Sequence, residues 1–501
     1  MQRLGKFKPY STEQGELLPS YLSEWVPENH LVRLISEIVD QLNLSKILKG
    51  YSIRGEEAYH PAMLLKLWFY GYATGVFTSR KIQAATLENI PFRWLCGGHH
   101  PDFRTMSDFR KNNLKAMPEF FKQIIEIAMK LGYVSLGHVS IDGSKVKANA
   151  SKHKAMSRER MKQEIQRLES EIRQAMKEAE QADNQDEGQT CPFPETIDAE
   201  VQHRQARLTK IQAALKELEE RKPEEDSKTP EKDQINFTDS ESRIMDTKNQ
   251  GVIQGYNPQI AVDEDHHFIV GLQMSNSSSD QKQFDGVLQS VKENTGRSPQ
   301  KTSADAGYFS AENIQAADVH QTDAYIAANK EGKQNKNTYD KTNFQYNQDT
   351  NTYTCPAGKI MEVKQIQHED HPDKPTTWVF ECQACHECPF QSDCVKAKSG
   401  KRTITRTESD PIREAMRTKV QSDEGKAIYR KRKSIVEPAF GEMKEVQGFR
   451  QFHLRGEEKV SGEFVLLALS YNLRKLHSAK YPKKATLYKR EKSAQKQRNA
   501  A

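Results

Sequence analysis

The sequence predicts an α/β fold, with a helical N-terminal region followed by a core of short strands and helices that two insertions interrupt. Three observations carry this. Apolar residues recur at helical spacing through the first 132 positions, and strand-like apolar runs that end in Asp appear only after them. A heptad stretch and then a cysteine cluster break the alternation of strands and helices. At 501 residues the chain exceeds one ordinary domain and can bury a sizeable core.

Taken in order, Leu31, Leu34, Ile35, Ile38, Val39 and Leu42 form one helical face, and 61–72 continue in the same vein. His138-Val-Ser-Ile-Asp142 and Lys145-Val-Lys-Ala-Asn149 read as a hairpin turning at Gly143 and Ser144. Met161, Ile165, Leu168, Ile172, Ala175, Ala179 and Ala182 then step by four and three, and Leu208, Ile211, Leu215 and Leu218 repeat the heptad after a break holding Gly188, Pro192 and Pro194. This predicts an antiparallel helical hairpin. The polar stretch 222–239 reads as a linker too poor in apolar residues to pack. Strands are expected at 255–263, 267–274, 301–305 and 324–328, with helices at 280–293, 311–317, 424–440 and 462–476.

Apolar residues make up 36% and charged residues 29%, and the longest apolar runs, 67–73 and 464–469, fall short of the roughly 20 residues a membrane span needs. A membrane role is excluded. The first 20 residues hold no apolar signal segment, so a cytoplasmic location is expected. The 75 basic and 69 acidic residues leave a net charge of +6, but 474–501 carry ten Lys or Arg and one acid, while 178–200 carry eight acids and no base. A basic tail of this kind suits phosphate contacts, and 480–498 read as a polybasic segment adding sequence-independent affinity for a polyanion.

Five of the seven cysteines fall between Cys355 and Cys394. In a reduced compartment that clustering points to metal before disulfide. Cys355, Cys385, Cys388 and Cys394 form the preferred ligand set for one structural Zn²⁺, leaving Cys382 and His386 spare. Buried free thiols are the alternative reading. Cys96 and Cys191 have no cysteine neighbours and read as inert.

Asp142 and Asp305 each end an apolar strand and precede a small residue, and in an α/β sheet carboxylates at strand ends converge on the ligand crevice. Asp is also common in turns, so a third partner is needed. It comes from Tyr429-Arg-Lys-Arg-Lys-Ser-Ile-Val-Glu437-Pro-Ala-Phe-Gly-Glu-Met-Lys444, where Arg430, Lys433, Glu437, Gly441 and Lys444 share a helical stripe. A carboxylate framed by cations suits a site holding a divalent metal and a phosphate together, although a solvated charged helix face has the same pattern. Pro438 suggests a kink or a first turn at Glu437. Asp263 follows a strand but sits in the Asp-Glu-Asp-His turn and reads as structural.

These residues, with Tyr59-His-Pro-Ala, Pro101-Asp-Phe-Arg-Thr, Ile141-Asp-Gly-Ser, Gly255-Tyr-Asn-Pro-Gln, Ala261-Val-Asp, Ala304-Asp-Ala-Gly-Tyr308, Val436-Glu-Pro-Ala-Phe-Gly and Ser470-Tyr-Asn-Leu473, resemble the DDE transposases of bacterial insertion sequences. The specific resemblance is to family eleven-eighty-two, in the superfamily of insertion sequence four, and it covers nearly the whole chain in the family's order. It implies an RNase H-like catalytic core over 133–330 and 424–478, a helical DNA-binding domain over 1–132, an inserted coiled-coil hairpin over 154–222, a cysteine-rich β insertion over 331–423 and a basic tail over 479–501.

By the same resemblance Asp142, Asp305 and Glu437 are the metal-binding triad, with Tyr429 and Lys444 as further catalytic residues and Lys433 and Lys444 at the DNA. Tyr429-x2-Arg432 and Glu437-x6-Lys444 each match half of the superfamily's Tyr, Arg, Glu, Lys signature, but the gap from Arg432 to Glu437 is one residue longer than the pattern, and counting back from Glu437 puts Lys433 in the arginine's place. Three carboxylates would hold two Mg²⁺ or Mn²⁺ ions roughly 3.5 to 4 Å apart for an in-line displacement. The implied partner is double-stranded DNA, both element end and target, bound by a homodimer in the bacterial cytoplasm at the nucleoid. The rival functions are a metal-dependent nuclease that only hydrolyses and a catalytically dead DNA-binding derivative. Arg104, Arg110 and Lys111, on a helix for which Thr105 is the expected N-cap, read either as part of a recognition helix for the terminal repeats or as decoration of an ordinary bundle.

Overall fold

The computed structural model describes residues 21–51, 57–185, 194–221, 230–247, 251–328, 339–369 and 375–482. Cys191 and nearly all of the basic tail lie outside the described residues. The chain divides into two compact units, 1–124 with 466–501, and 125–465.

The first unit is helical: α1 (Leu31–Gln41), α2 (Ser45–Leu48), α3 (Pro61–Thr74), α4 (Ser79–Glu88), α5 (Ile90–Leu95), α6 (Phe103–Asn113) and most of α7 (Met117–Lys130). α3 starts with Pro61 in its first turn, His60 accepting from the Ala62 N–H, and ends where Gly75 turns left-handed at φ 84°. Ten of its fourteen residues are buried, which makes it the central helix of the bundle. The unit also takes the second half of a long C-terminal helix. There Arg474 donates to the Ala73 carbonyl at 2.9 Å and Lys480 pairs with Glu37 at 3.1 Å, with Tyr471, Asn472 and Leu473 buried. This corrects the expected boundary at 478: the helix is shared, because its last turns bury into the N-terminal bundle.

The second unit begins with β1 (His138–Gly143), β2 (Val146–Lys147) and β3 (Ala155–Ser157). β1 and β2 are not a hairpin. β1 pairs antiparallel with β7 (Gln259–Asp263) and parallel with β9 (Lys301–Ala304), whereas β2 pairs with β6 (Gly251–Tyr256) in another sheet. The expected strand 255–263 is likewise two strands, because Asn257-Pro258 lies between β6 and β7 and proline offers no N–H to a ladder. α8 (Arg158–Gln185) and α9 (Pro194–Glu220) form the helical hairpin, with Met161, Leu168, Ile211 and Leu218 buried between them. β4 (Gln234–Asn236) pairs with β3 and buries Ile235 in the same cluster, so this part of the expected linker packs. β5 (Arg243–Thr247) completes the three-stranded sheet β2-β6-β5.

The central sheet has the order β10-β9-β1-β7-β8, with β8 at Ile269–Gln273 and β10 at Asp323–Ile326. The β10, β9 and β1 strands are parallel, and β7 and β8 are antiparallel to their neighbours. α10 (Phe284–Thr295) packs on β8 and β7. It comes close because Gly271 has no side chain: a Cβ there would stand 2.5 Å from Val291 Cγ2. α11 (Ala311–Val319) follows β9.

The cysteine-rich insert is an antiparallel meander of β11 (Gln345–Asn347), β12 (Thr352–Thr354), β13 (Ile360–Gln367), β14 (Thr377–Glu381) and, after the short α12 (Gln391–Cys394), β15 (Thr403–Thr407). Its core is Phe344, Tyr353, Met361, Phe380, Cys382, Cys385 and Ile404. α13 (Asp410–Gln421) packs on α11, β10 and α14 (Asp423–Gly441), so the insertion ends near 407 and not at 423. A π-helical turn (Glu442–Val446) and α15 (Glu457–Lys480) close the chain. None of the described helices is long and apolar enough to cross a membrane.

Candidate active site

Strand register sets two carboxylates side by side. In the parallel β1–β9 pair Ile141 stands opposite Ala304, so the following residues, Asp142 and Asp305, leave neighbouring strands at the same level. Adjacent strands lie roughly 4.8 Å apart. These are the C-terminal ends of parallel strands, where open α/β sheets form their ligand crevice. Each aspartate is turned back by a local bond, the Gly143 N–H donating to Asp142 at 2.9 Å and the Gly307 N–H to Asp305 at 2.8 Å.

α14 crosses this sheet, packing on β1, β7, β9 and β10. Its buried face holds Arg432, Ile435, Val436, Ala439 and Phe440. Arg432 donates to Asp142 at 3.1 Å, with the two side chains 8% and 20% exposed, and its guanidinium lies 5.8 Å from the ring centre of Tyr429. Burial pushes the Asp142 carboxyl up to about 6; Arg432 opposes this and the charge of Asp305 adds to it. Burial works against the Arg432 charge, but the carboxylates of Asp142 and Asp305 hold its pKa above the ordinary value. Its buried Nε has no hydrogen-bond partner among the described residues, a cost that ordered cores avoid and functional sites tolerate.

Further along the same helix Pro438 passes without ending α14. The π turn that follows carries an i to i+5 bond, the Gln447 N–H donating to the Glu442 carbonyl at 2.9 Å. Lys444 in this turn donates to Ser144 Oγ at 2.6 Å and to the Lys145 carbonyl at 3.2 Å, two and three residues beyond Asp142. Burial holds the Lys444 ammonium below its usual pKa.

The structure thus brings together Asp142, Asp305, Tyr429 and Arg432, the last of which the sequence reading had left behind Lys433, with Lys444 on the turn that follows Asp142. Lys433 is exposed. Glu437 is exposed too, one residue past the buried Val436, and does not join the two aspartates: among the described residues no three His, Cys, Asp or Glu side chains stand close enough to hold a metal ion.

Another carboxylate, Asp280, does stand beside Asp305. Asp280 precedes α10, which starts four residues later than expected, and it accepts from Asn257 and Gln259, each at 2.7 Å. Gln259 in turn accepts from the buried Tyr308 hydroxyl. A Cβ placed on Gly307 would stand 3.0 Å from Asp305 Oδ1 and 3.4 Å from Asp280 Oδ2, so the glycine lets both carboxylates approach. The sequence signal for Asp280 was weak, since six residues separate it from the end of β8, and its link to the Gly255-Tyr-Asn-Pro-Gln motif comes only through the bonds from Asn257 and Gln259. Asp263 is different. It is wholly buried, faces Val139 at the other end of β1, and accepts from the Leu136 and Asp265 N–H groups.

In the helical unit Asp102, not Thr105, caps α6 by accepting from the Arg104 N–H. Arg104 and Lys111 are exposed. Arg110 is not available to DNA: it is 8% exposed, donates to the Tyr72 hydroxyl and the Phe77 carbonyl, and lies 4.3 Å from the Trp68 ring centre. Its stem sits on the apolar side of α6 with Met106 and Phe109, and buried acceptors take its charge.

Two family models match the chain. Residues 354–477 match a transposase DDE domain, and residues 20–112 match a family described as Transposase domain (DUF772). No curated protein and no solved structure matches it. Both matches are to transposases, so the class of protein this chain is similar to is the DDE transposases. The DDE match spans Tyr429, Arg432, Glu437 and Lys444 along with the cysteine insert, while Asp142 and Asp305 lie before it.

Proposed function

We propose that this chain is a DDE transposase of insertion sequence family eleven-eighty-two, binding the terminal inverted repeats of its element and catalysing strand cleavage and strand transfer on double-stranded DNA. The observation that carries the reading is the convergence of Asp142 and Asp305 at adjacent parallel strand ends beneath Arg432 and Lys444. A mixed five-stranded sheet crossed by α14 supports an RNase H-like core.

The donor set fits Mg²⁺ or Mn²⁺, since the carboxylates offer hard oxygen ligands and no His or Cys intrudes. Asp142 and Asp305 would hold the ions; Glu437, exposed on α14, does not stand with them. Bound there, the ions supply Lewis-acid polarisation of the scissile phosphate and activation of the attacking oxygen. The protein's own work is positional. Arg432 neutralises Asp142 and excludes water from its inner side. Lys444, held on the 144–145 turn, presents a cation next to the carboxylates, where a strand's phosphate must lie. Asp280 fixes Gln259 and Tyr308 beneath the site. Joining two element ends requires two such centres, hence a homodimer on DNA.

The test is a labelled element end incubated with target DNA and Mg²⁺. Joined product supports transposition, whereas nicking with no joined product would assign a hydrolytic nuclease. Asp142→Asn and Asp305→Asn should each abolish both products while leaving binding to the repeat nearly unchanged; persistent nicking in either variant would remove the assignment.

A further inference from the structure

The five clustered cysteines line one cavity of about 20 Å³, together with Tyr339, Lys359 and Arg402. That volume is about what a single water or ion occupies. The cysteines arrive from three separate places, Cys355 after β12, the 382–388 segment after β14, and Cys394 at the end of α12. The described cysteines are all free thiols.

Two features resemble the way backbone dresses a thiolate. The Lys359 N–H donates to Cys355 Sγ at 3.3 Å across a tight turn in which Gly358 is left-handed, and the Arg402 N–H donates to Cys385 Sγ at 3.4 Å. The Cys388 N–H donates to the Cys385 carbonyl, closing the turn between the two central cysteines. Cys394 lies within electrostatic reach of Cys355, Cys385 and Cys388. Cys382 is the most buried of the five at 2% exposed, packed with Phe380 and Ile404 in the apolar core of the insert, a core that Cys385 shares at 6% and that Cys355 and Cys394 pack against.

We propose that Cys355, Cys385, Cys388 and Cys394 bind one structural Zn²⁺, which fastens the β12–β13 turn to the β14–β15 connection. The sulfurs are not already drawn to metal-binding separation. The fold supplies a frame that the ion closes, as metal binding and folding are coupled in small zinc domains. Four thiolates on Zn²⁺ carry a net charge of −2, and the cations that line the cavity, Lys359 and Arg402, offset it. Binding releases the protons of the thiols to solvent, with no change of oxidation state. The site is independent of the DNA chemistry, so its failure would leave the transposase reading untouched.

The full-length protein, purified with zinc and without chelator, is assayed by elemental analysis and by cobalt exchange. The expected result is about one zinc per chain and, with Co²⁺, the intense visible bands of a tetrahedral thiolate site. Cys388→Ser should lose the metal, Cys388→His should keep it because imidazole replaces the ligand, and Cys382→Ala should keep it. Absence of zinc with a Cys382–Cys385 disulfide found by thiol titration would overturn the proposal. So would a Cys388→Ser protein that melts like the parent and holds full zinc.

Discussion

Four aspartates near the central sheet look alike in sequence and differ in what surrounds them. Asp142 and Asp305 share a strand-end level, Asp280 has one oxygen taken by two amide donors, and Asp263 is enclosed by backbone N–H groups. Asp280→Asn would set an amide against amide donors and loosen Gln259 and Tyr308. Cleavage is expected to fall by roughly 10- to 100-fold, the range for losing a partner that orients a ligand, with repeat binding intact. A loss as complete as in Asp142→Asn, measured on the same labelled end, would instead make Asp280 the third carboxylate in place of Glu437.

Asp263 gives a pH prediction. Burial raises its pKa to about 6, although backbone N–H bonds from Leu136, Asp265 and Ser135 oppose it. A folded-state pKa above the unfolded value means the native protein holds the proton longer. Stability therefore falls as pH rises from about 4 to about 6, by an amount on the order of 3 kcal/mol for this group. Asp263→Asn should flatten that decline in denaturant melts across the interval, and an unchanged slope would show that the carboxyl does not titrate there. The strand-end places of Asp142 and Asp305 were legible in the sequence, but pairing them drew on the 429–444 segment and the family resemblance. Arg432 was not legible, because counting back from Glu437 along the signature pointed to Lys433, although Arg432 shares the apolar face of Ile435, Val436 and Ala439.

At the level of elements, periodicity predicted well where an element packs on itself. The hairpin's heptads appear as the buried Met161, Leu168, Ile211 and Leu218 seam. Leu168→Ala should cost about 2 to 3 kcal/mol and open α8 and α9 to limited proteolysis, leaving the melting of the N-terminal bundle unmoved. Periodicity misled where a polar residue joins a core. Met106, Phe109 and Arg110 lie on one face of α6, which marks Arg110 as buried, yet its charge suggested a phosphate. Arg110→Ala should therefore destabilise the bundle by about 2 kcal/mol, because it removes the buried hydrogen bonds to the Tyr72 hydroxyl and the Phe77 carbonyl and the packing on Trp68. Arg104→Ala, tested by the same thermal melt, should be neutral in stability and lower the preference for repeat over random duplex. A melt unchanged in Arg110→Ala would return that residue to the DNA. The strand break at Pro258 was readable from the missing N–H, whereas the separation of β1 from β2 depended on distant partners, β7 and β6, that no local pattern names.

Over the whole molecule, charge is segregated and not accumulated, a net +6 dividing into an acidic break in the hairpin and a basic C-terminus. Residues 483–501 hold seven Lys or Arg and one Glu. Cations on such a segment neutralise phosphates without reading bases, and each contact adds about 0.9 to the slope of log affinity against log salt on duplex DNA. If half of the seven engage, deleting 483–501 lowers that slope by about 3 and weakens specific and random duplexes to the same degree. Base-edge contacts behave otherwise, discriminating by roughly 1 to 3 kcal/mol per wrong pair with little dependence on salt. Truncating the tail and substituting Arg104 should accordingly change different observables, the salt slope in one case and the specific-to-random ratio in the other. Titrations of both duplexes at several salt concentrations separate them, and a deletion that leaves the slope unchanged would place the protein's phosphate contacts within the folded units, with Lys444 and the exposed cations of α14 next in line.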